Sequence, residues 1–376
     1  MASTSSHPGR GPRRPRTSHG ARTLTTAAAA AVLALSGCSA IGASGSDGGA
    51  TSSASGGSGT VTLVTHDSFG LSDGILDDFT KQTGLTVKVV QPGDAGTLVN
   101  QLVLTKDAPL GDLAYGIDNS FASRAIDEGV VVPYTSSAPA AKDGAQYQVG
   151  DRDALTAVDM GDVCINTDHT WFQQHGLAEP TSLDDLTKPE YKDLLVVPNA
   201  VTSSPGLAFL LATVGAFGED GWQDYWTKLK ANGLKVADGW TEAYMTDFTA
   251  GGGNGPRPIV LSYASSPPYT VPDGGTEPTT GALLDTCFRQ VEYAGVLKGA
   301  ANPTGAQKLL DFLLSDEVQD DIPGSMYMYP ISSTATLPDE WAQWAPLATE
   351  PFTVAPADIT KNREAWLADW SQIVIG

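Results

Sequence analysis

Residues 60–69 read Thr60-Val61-Thr62-Leu63-Val64-Thr65 and then His66-Asp67-Ser68-Phe69, and this stretch decides the fold class. The first six alternate as a strand does, and the next four form a polar, turn-like exit. Downstream the period keeps switching. Ile75, Leu76 and Phe79 recur at helical spacing, and Gly84 stands where a helix would stop. Thr86 to Val90 reads as a second strand, and Gly96 to Leu104 as a helix with Leu98, Leu102 and Val103 on one side. Asp112 to Gly116 is a third strand that opens into Asp118-Asn119-Ser120, a good helix cap, and Val130 to Pro133 is another short strand. This β-α-β-α-β alternation predicts an α/β protein with an open, mostly parallel sheet flanked by helices. Ligands of such sheets bind at the carboxyl ends of the strands, which singles out the loops at His66-Asp67, Asp94 and Asp118-Asn119.

The body of about 316 residues from Val61 onward exceeds the usual size of one core, so two lobes are expected. Leu155 to Asn166 and Leu283 to Val296 are extended runs with little helical period. Between them lies a second β/α series: a strand over Leu194–Pro198, helices over Pro205–Phe217 and Gly221–Lys230, a short helix over Glu242–Phe248 and a strand over Ile259–Tyr263. Helices follow at Ala306–Leu314 and Pro356–Ile373. One lobe is thus interrupted by the other: residues 61–160 and 288–376 build the first, residues 161–287 the second. Two crossing segments imply a cleft and a hinge.

Ahead of the body, Arg10, Arg13, Arg14, Arg16 and Arg22 run into an apolar stretch from Leu24 to Leu35, which ends in Leu35-Ser36-Gly37-Cys38. A cationic end, a short apolar middle and small residues at a cut site form an export signal. The apolar part is too short for a membrane span, which takes about 20 residues. Leu-Ser-Gly before a cysteine resembles the lipobox of bacterial lipoproteins. Residues 1–37 are therefore read as a signal peptide and Cys38 as a lipid-bearing N-terminus. Residues 38–60, almost all Gly, Ser, Ala and Thr, are read as a flexible tether. The expected location is outside the cytoplasm, anchored by lipid to the outer face of the cell membrane.

The net charge is −21, and losing the five signal-peptide arginines takes it to about −26. That argues against nucleic acid as a partner, which needs a basic patch, and favours cationic ligands. Cys164 and Cys287 are the two cysteines of the body, and either a disulfide or a reactive thiol would use them. There is no H-E-x-x-H in the body, no C-x-x-C and no P-loop. His66, His169 and His175 are too scattered for a sequence-local metal site. His66, Asp67 and Ser68 are adjacent, so they cannot form a relay with one another. No catalytic residue, metal or cofactor is expected.

The aromatic residues say more. Trp240 and Tyr244 lie in D-G-W-T-E-A-Y, Tyr263 and Tyr269 in L-S-Y-A-S-S-P-P-Y, and Tyr327 and Tyr329 in G-S-M-Y-M-Y-P. In such polar, turn-like settings they can stack on a flat ring and attract a cation, at about 0.5–2 kcal/mol each. Thr202-Ser203-Ser204-Pro205-Gly206 precedes an apolar helix, with serine as the expected cap and Pro205 in the first turn. A helix start of this kind suits an anionic tail.

Seven ordered runs carry a family resemblance: V-T-H-D-S-F, D-A-G-T-L-V-N-Q-L, G-I-D-N-S, T-S-S-P-G, G-W-T-E-A-Y, L-S-Y-A-S-S-P-P-Y and I-P-G-S-M-Y-M-Y-P-I. Together they resemble the thiamine-binding proteins of bacterial ABC importers, over nearly all of the body. The resemblance implies the type II periplasmic-binding-protein fold, two α/β lobes around a ligand cleft, and binding of thiamine or its phosphates without chemistry. It also implies a permease and an ATPase as partners; a monomer is expected. By position, Trp240, Tyr263 and Tyr269 match aromatics of the family's pocket, and Asp94, Ser203 and Ser204 match polar positions near the ligand's tail. His66 replaces the usual tyrosine, and Tyr327 an often-found tryptophan. His66, Trp240, Tyr263, Tyr269 and Tyr327 are thus expected to hold the rings. Asp94, Ser203 and Ser204 are expected to orient the tail. Asp67, Asp118 and Asn119 are further candidates that capping explains equally well. The rival readings are a same-fold receptor for a polyamine or ferric ion, an enzyme like thiaminase I working through Cys164 or Cys287, and a surface adhesion module.

Overall fold

The computed structural model describes residues 59–150 and 153–376; the expected export signal, Cys38 and nearly all of the tether lie outside the described residues. The first half alternates β1 (Gly59–Val64), α1 (Ile75–Thr83), β2 (Leu85–Val90), α2 (Ala95–Leu104), β3 (Leu113–Asp118) and α3 (Ala122–Asp127). β1 takes in Gly59 and Thr60, which the composition assigned to the end of the tether, and pairs them with Leu85 and Thr86. β4 (Val131–Val132) and α4 (Pro139–Asp143) lead into β5 (Thr156–Asp168). The second series is α5 (His169–His175), β6 (Leu195–Pro198), α6 (Ser204–Phe217), α7 (Trp222–Ala231), β7 (Lys235–Ala237), α8 (Trp240–Glu242) and β8 (Ile259–Tyr263). β9 (Thr280–Leu297) crosses back, followed by α9 (Pro303–Leu313), α10 (Asp316–Met326), β10 (Tyr329–Pro330), α11 (Trp341–Trp344) and α12 (Pro356–Val374).

The strands form one ten-stranded sheet in the order β2-β1-β3-β9-β5-β8-β6-β7, with β10 on β5 and β4 on β9. It is mixed rather than mostly parallel. β1 pairs in parallel with β2 and β3, and β6 with β7 and β8, as β/α crossovers require. The two parallel blocks meet across antiparallel β9 and β5, each long enough to serve both. Carboxyl ends of both blocks therefore face a common centre.

Burial explains why the elements hold. α6 is apolar all round, and every residue from Ser204 to Val214 is buried, as expected for a helix enclosed on all sides. Trp226 packs edge-on against Trp370 at 5.5 Å and against Phe209 at 5.3 Å. Burying each such ring contributes roughly 1.5–3 kcal/mol. α12 reaches both blocks: Trp370 meets α7, and Arg363 lies over the Phe121 ring and donates to the Ser120 carbonyl. Cys164 of β5 and Cys287 of β9 are joined by a disulfide.

Candidate functional site

One cavity of about 330 Å³ opens where the two blocks meet. His66, Asp94, Ser204, Trp240, Tyr263, Tyr269 and Tyr327 line it, joined by Tyr244 and Glu292. The backbone places each of them. His66 follows the carboxyl end of β1, Asp94 caps α2 after β2, Ser204 starts α6 after β6, and Tyr263 ends β8. Gly116 in β3, at φ 89°, leaves room for the His66 ring; any side chain there would collide with the imidazole.

The aromatic wall is fixed by hydrogen bonds and stacking. Trp240 lies parallel to Tyr244 at 5.0 Å, and its indole N–H donates to Ser262 Oγ at 2.9 Å. Ser262 in turn shares a hydrogen bond with Ser266 at 2.8 Å. α8 runs into a π-helical turn over Ala243–Asp247, a distortion that recurs at functional sites. It turns Tyr244 into the cavity, where its buried hydroxyl has no protein partner. Tyr269 and Tyr327 meet edge to face at 5.7 Å, and Tyr327 holds a left-handed backbone at φ 55°. That strain is supported by Ser265 Oγ, which donates to the Tyr327 carbonyl.

Asp94 ties the two blocks together. One carboxylate oxygen accepts the N–H of Ala95 at 2.6 Å and of Ser204 at 3.2 Å, and the other accepts the N–H of Trp240 at 2.9 Å. Beside it Thr97 N–H donates to the Thr202 carbonyl at 3.0 Å. Burial raises the Asp94 pKa, against the pull of the Trp240 amide and His66.

The expected serine cap of α6 is corrected by this arrangement. Neither Ser203 nor Ser204 makes a side-chain cap bond and both hydroxyls are buried without a partner; the acceptor at this helix start is Asp94, which takes the Ser204 N–H. Ser203 does not line the cavity. Asp67, Asp118 and Asn119 also stand off it. Asp67 is exposed. Asp118 accepts the N–H groups of Ser120 at 2.7 Å and Phe121 at 3.0 Å, a cap at the start of α3. Asn119 clips onto β9, donating to the Arg289 carbonyl at 3.0 Å and accepting from Val291 N–H at 3.2 Å. Tyr329 packs on Trp341 at 4.8 Å, away from the site. Both cysteine sulfurs are bonded and buried, and neither lines the cavity.

Glu292 is the residue that sequence reasoning missed. It is buried on β9, lines the cavity, and lies 3.4 Å from His66 Nε2. Burial pushes its pKa up, but His66 and Gln290 outweigh burial and leave it below the ordinary range. For His66 burial works downward; Glu292 first, then Asp94 and Asp67, overcomes it and raises the pKa. The described cavity-lining residues thus include two carboxylates and five Trp or Tyr rings, and no lysine or arginine.

Asp118 also predicts a pH dependence. Burial lifts its carboxyl from 3.8 to about 7. The folded state therefore holds a proton that the unfolded chain loses at about pH 4, so stability falls as pH rises between about 4 and 7. Raised His66 adds a loss in the same direction as pH passes its folded value. We expect the melting temperature of the ligand-free protein to drop between about pH 5 and pH 8, and Asp118→Asn to flatten that drop by about 1 kcal/mol or more at the alkaline end. Thermal melts of both proteins in matched buffers test it; parallel profiles would count against Asp118.

Comparison with known proteins agrees with the geometry. The family model described as bacterial extracellular solute-binding protein matches residues 108–349. The thiamine-binding periplasmic protein of Escherichia coli (strain K12) is 28% identical over 321 residues, 84% of this chain and 93% of that one. The thiamine-binding periplasmic protein of Brucella suis biovar 1 is 27% identical over 317 residues, 83% and 91% of the two chains. Among solved structures, a periplasmic thiamin binding protein superposes with a TM-score of 0.72 at 25% identity, covering 84% of this chain and 96% of its own. The apo ferric ion-binding protein A of Pasteurella haemolytica superposes at 0.63 with 17% identity, over 84% and 97%, a likeness of fold alone. The fold is that of the type II periplasmic binding proteins, and the relatives are solute receptors rather than enzymes. With its cavity between two β/α blocks and more than half its length matched, the chain belongs to the bacterial extracellular solute-binding proteins.

Proposed function

We propose that this protein captures thiamine outside the cytoplasm and hands it, unaltered, to an ABC import permease and its ATPase. The observation that carries the reading is the composition of one cavity: rings from Trp240, Tyr244, Tyr263, Tyr269 and Tyr327, carboxylates from Asp94 and Glu292, and no lysine or arginine among the described lining residues. Thiamine is a permanent cation with two flat rings. Stacked aromatics recognise the rings, and the rings and carboxylates together favour the charge. The similarity to thiamine-binding relatives over more than four-fifths of the chain supports the same choice. A phosphorylated tail would have to displace the Asp94 carboxylate from the start of α6.

On this reading residues 61–160 and 288–376 form one lobe and residues 161–287 the other, closing about β5 and β9. Lipid on Cys38 and the tether of residues 38–60 hold a monomeric receptor at the membrane surface. Calorimetric titration with thiamine, its monophosphate and diphosphate, spermidine and Fe(III) tests the ligand. Heat from thiamine or its esters is expected; silence toward all three with binding of another solute would overturn the reading. Trp240→Ala is expected to weaken thiamine at least tenfold, about 1.4 kcal/mol, because it removes the ring that stacks on Tyr244 and is pinned by Ser262. Unchanged affinity would remove Trp240 from the site.

A further inference from the structure

Three carboxylates lie side by side across three neighbouring strands beneath the cavity. Asp118 of β3 is in register with Glu292 of β9, and Glu292 with Asp159 of β5. All three are at least nine-tenths buried. Like charges directly opposite one another in a sheet repel, so the ladder does not carry three full charges. Tyr115 donates to Asp159, whose pKa burial and Glu292 push well up, while Asp118 is engaged in capping. Glu292, the middle rung, is the member that lines the cavity, and His66 is the cation set against it. The imidazole Nε2 is buried and makes no hydrogen bond; at 3.4 Å it holds an ion-pair distance from Glu292 without the alignment. Around this ring stand Glu292 on β9, Tyr115 on β3 with ring centroids 5.8 Å apart, Asp94 at the head of α2, and exposed Asp67 on its own strand exit. Among the described cavity-lining residues no lysine or arginine competes with it.

We propose that Glu292 is the counter-ion that receives the cationic centre of the ligand, and that His66 is an internal cation whose proton leaves when that centre arrives. The inference rests on the thiamine reading above for the choice of ligand. Without ligand, protonated His66 balances Glu292 and keeps a charged carboxylate tolerable at a buried position. A permanent cation brings its own charge. Two cations beside one carboxylate repel, so the imidazole gives its proton to solvent and remains as a neutral flat ring. The exchange sets a direction: affinity for the cation rises with pH until His66 is already neutral in the free protein, and is flat above that.

Calorimetry at about pH 6 in two buffers of different ionisation enthalpy, with thiamine as the probe, should show release of up to about one proton per thiamine bound. Affinity should climb by up to about tenfold per pH unit over the titration of His66. His66→Gln should abolish both effects, which separates His66 from Asp118 and Asp159 as the proton source. Glu292→Gln should weaken thiamine about tenfold or more, yet weaken a neutral analogue with carbon in place of the thiazolium nitrogen by less than about threefold. Equal losses for the two probes would make Glu292 a structural residue only. Thiamine binding with no proton release and no pH slope would overturn the role of His66 while leaving the thiamine reading in place. If thiamine does not bind at all, that reading fails instead. The pair is then decided by NMR titration of the His66 ring in the free protein: a lower pKa in Glu292→Gln is expected, and an unchanged one overturns the pairing.

Discussion

Replacing Cys164 and Cys287 together by alanine is expected to lower the free energy of unfolding by about 3–5 kcal/mol. The bond closes a separation of 123 residues, and the entropy a cross-link removes from the unfolded chain grows with the logarithm of that loop. Its position adds a second reason. Val163 of β5 faces Phe288 of β9, but Ile165 faces Leu283, so Cys164 alone stands against the excursion formed by residues 284–287. Within it Thr286 Oγ1 accepts Ile165 N–H at 3.0 Å, and Phe352 N–H donates to the Cys287 carbonyl at 2.7 Å. Next to it Arg289 grips Asp162 with two 2.8 Å hydrogen bonds, and Asp162 also accepts Ala348 N–H at 2.7 Å. These contacts hold the crossing in register when the cross-link is gone. The double variant should therefore fold and keep its thiamine affinity, since neither cysteine touches the cavity. Urea titrations of the oxidised, reduced and doubly substituted proteins measure the loss. A loss below about 1 kcal/mol would mean that the hydrogen bonds and the Asp162–Arg289 pair, not the disulfide, secure the crossing.

What the chain reveals without coordinates follows from how locally each feature is encoded. Thr60 to Val132 is legible because half-buried strands and one-sided helices impose their periods on consecutive residues. α6 is legible because a helix buried on all sides must be apolar throughout. α10 was not foreseen: its segment mixes Asp316, Glu317, Asp320 and Asp321 with an internal Pro323, and tertiary packing of Val318 and Ile322 overrides that composition. The aromatic wall could be read from short runs in which Trp and Tyr stand among Gly, Ser and Pro. Tyr244 stood in one of those runs, yet only the π turn shows that it faces inward. Glu292 left no mark at all. It looks like any polar residue in a long strand, and its meaning comes from register with Asp118 and Asp159, residues more than 130 positions away. The start of α6 is non-local in the same way: a carboxylate 110 positions upstream accepts the N–H of Ser204, while Ser203 makes no cap bond.

Asp94→Ala is expected to cost about 2–3 kcal/mol of stability and at least tenfold in thiamine affinity, with Asp94→Asn falling between in stability but close to alanine in binding. The carboxylate does three jobs that alanine cannot. It caps α2 through Ala95 N–H, it satisfies Ser204 N–H at the start of α6, and it satisfies Trp240 N–H, so one side chain joins both β/α blocks to the main aromatic of the wall. Loss of a cap costs about 1 kcal/mol, and each buried N–H left without an acceptor costs about 1–3 kcal/mol. Relief of a buried carboxylate, whose pKa burial raises, offsets part of that sum. Asparagine caps as well as aspartate does and can still accept from Ala95 and Ser204. Its amide nitrogen, however, would face the N–H of Trp240, donor against donor, and the tryptophan would be released. Gly96→Ala offers an independent check on the same contact. A Cβ at Gly96 would lie 2.7 Å from the backbone carbon of Thr202, wedging α2 away from the α6 entrance while leaving the carboxylate chemistry intact. If the tie between the blocks is what matters, Asp94→Asn and Gly96→Ala should both lose affinity in calorimetric titrations. If instead only Asp94→Ala does, capping of α2 is the whole contribution of Asp94, and the bridge to Trp240 carries no weight in binding.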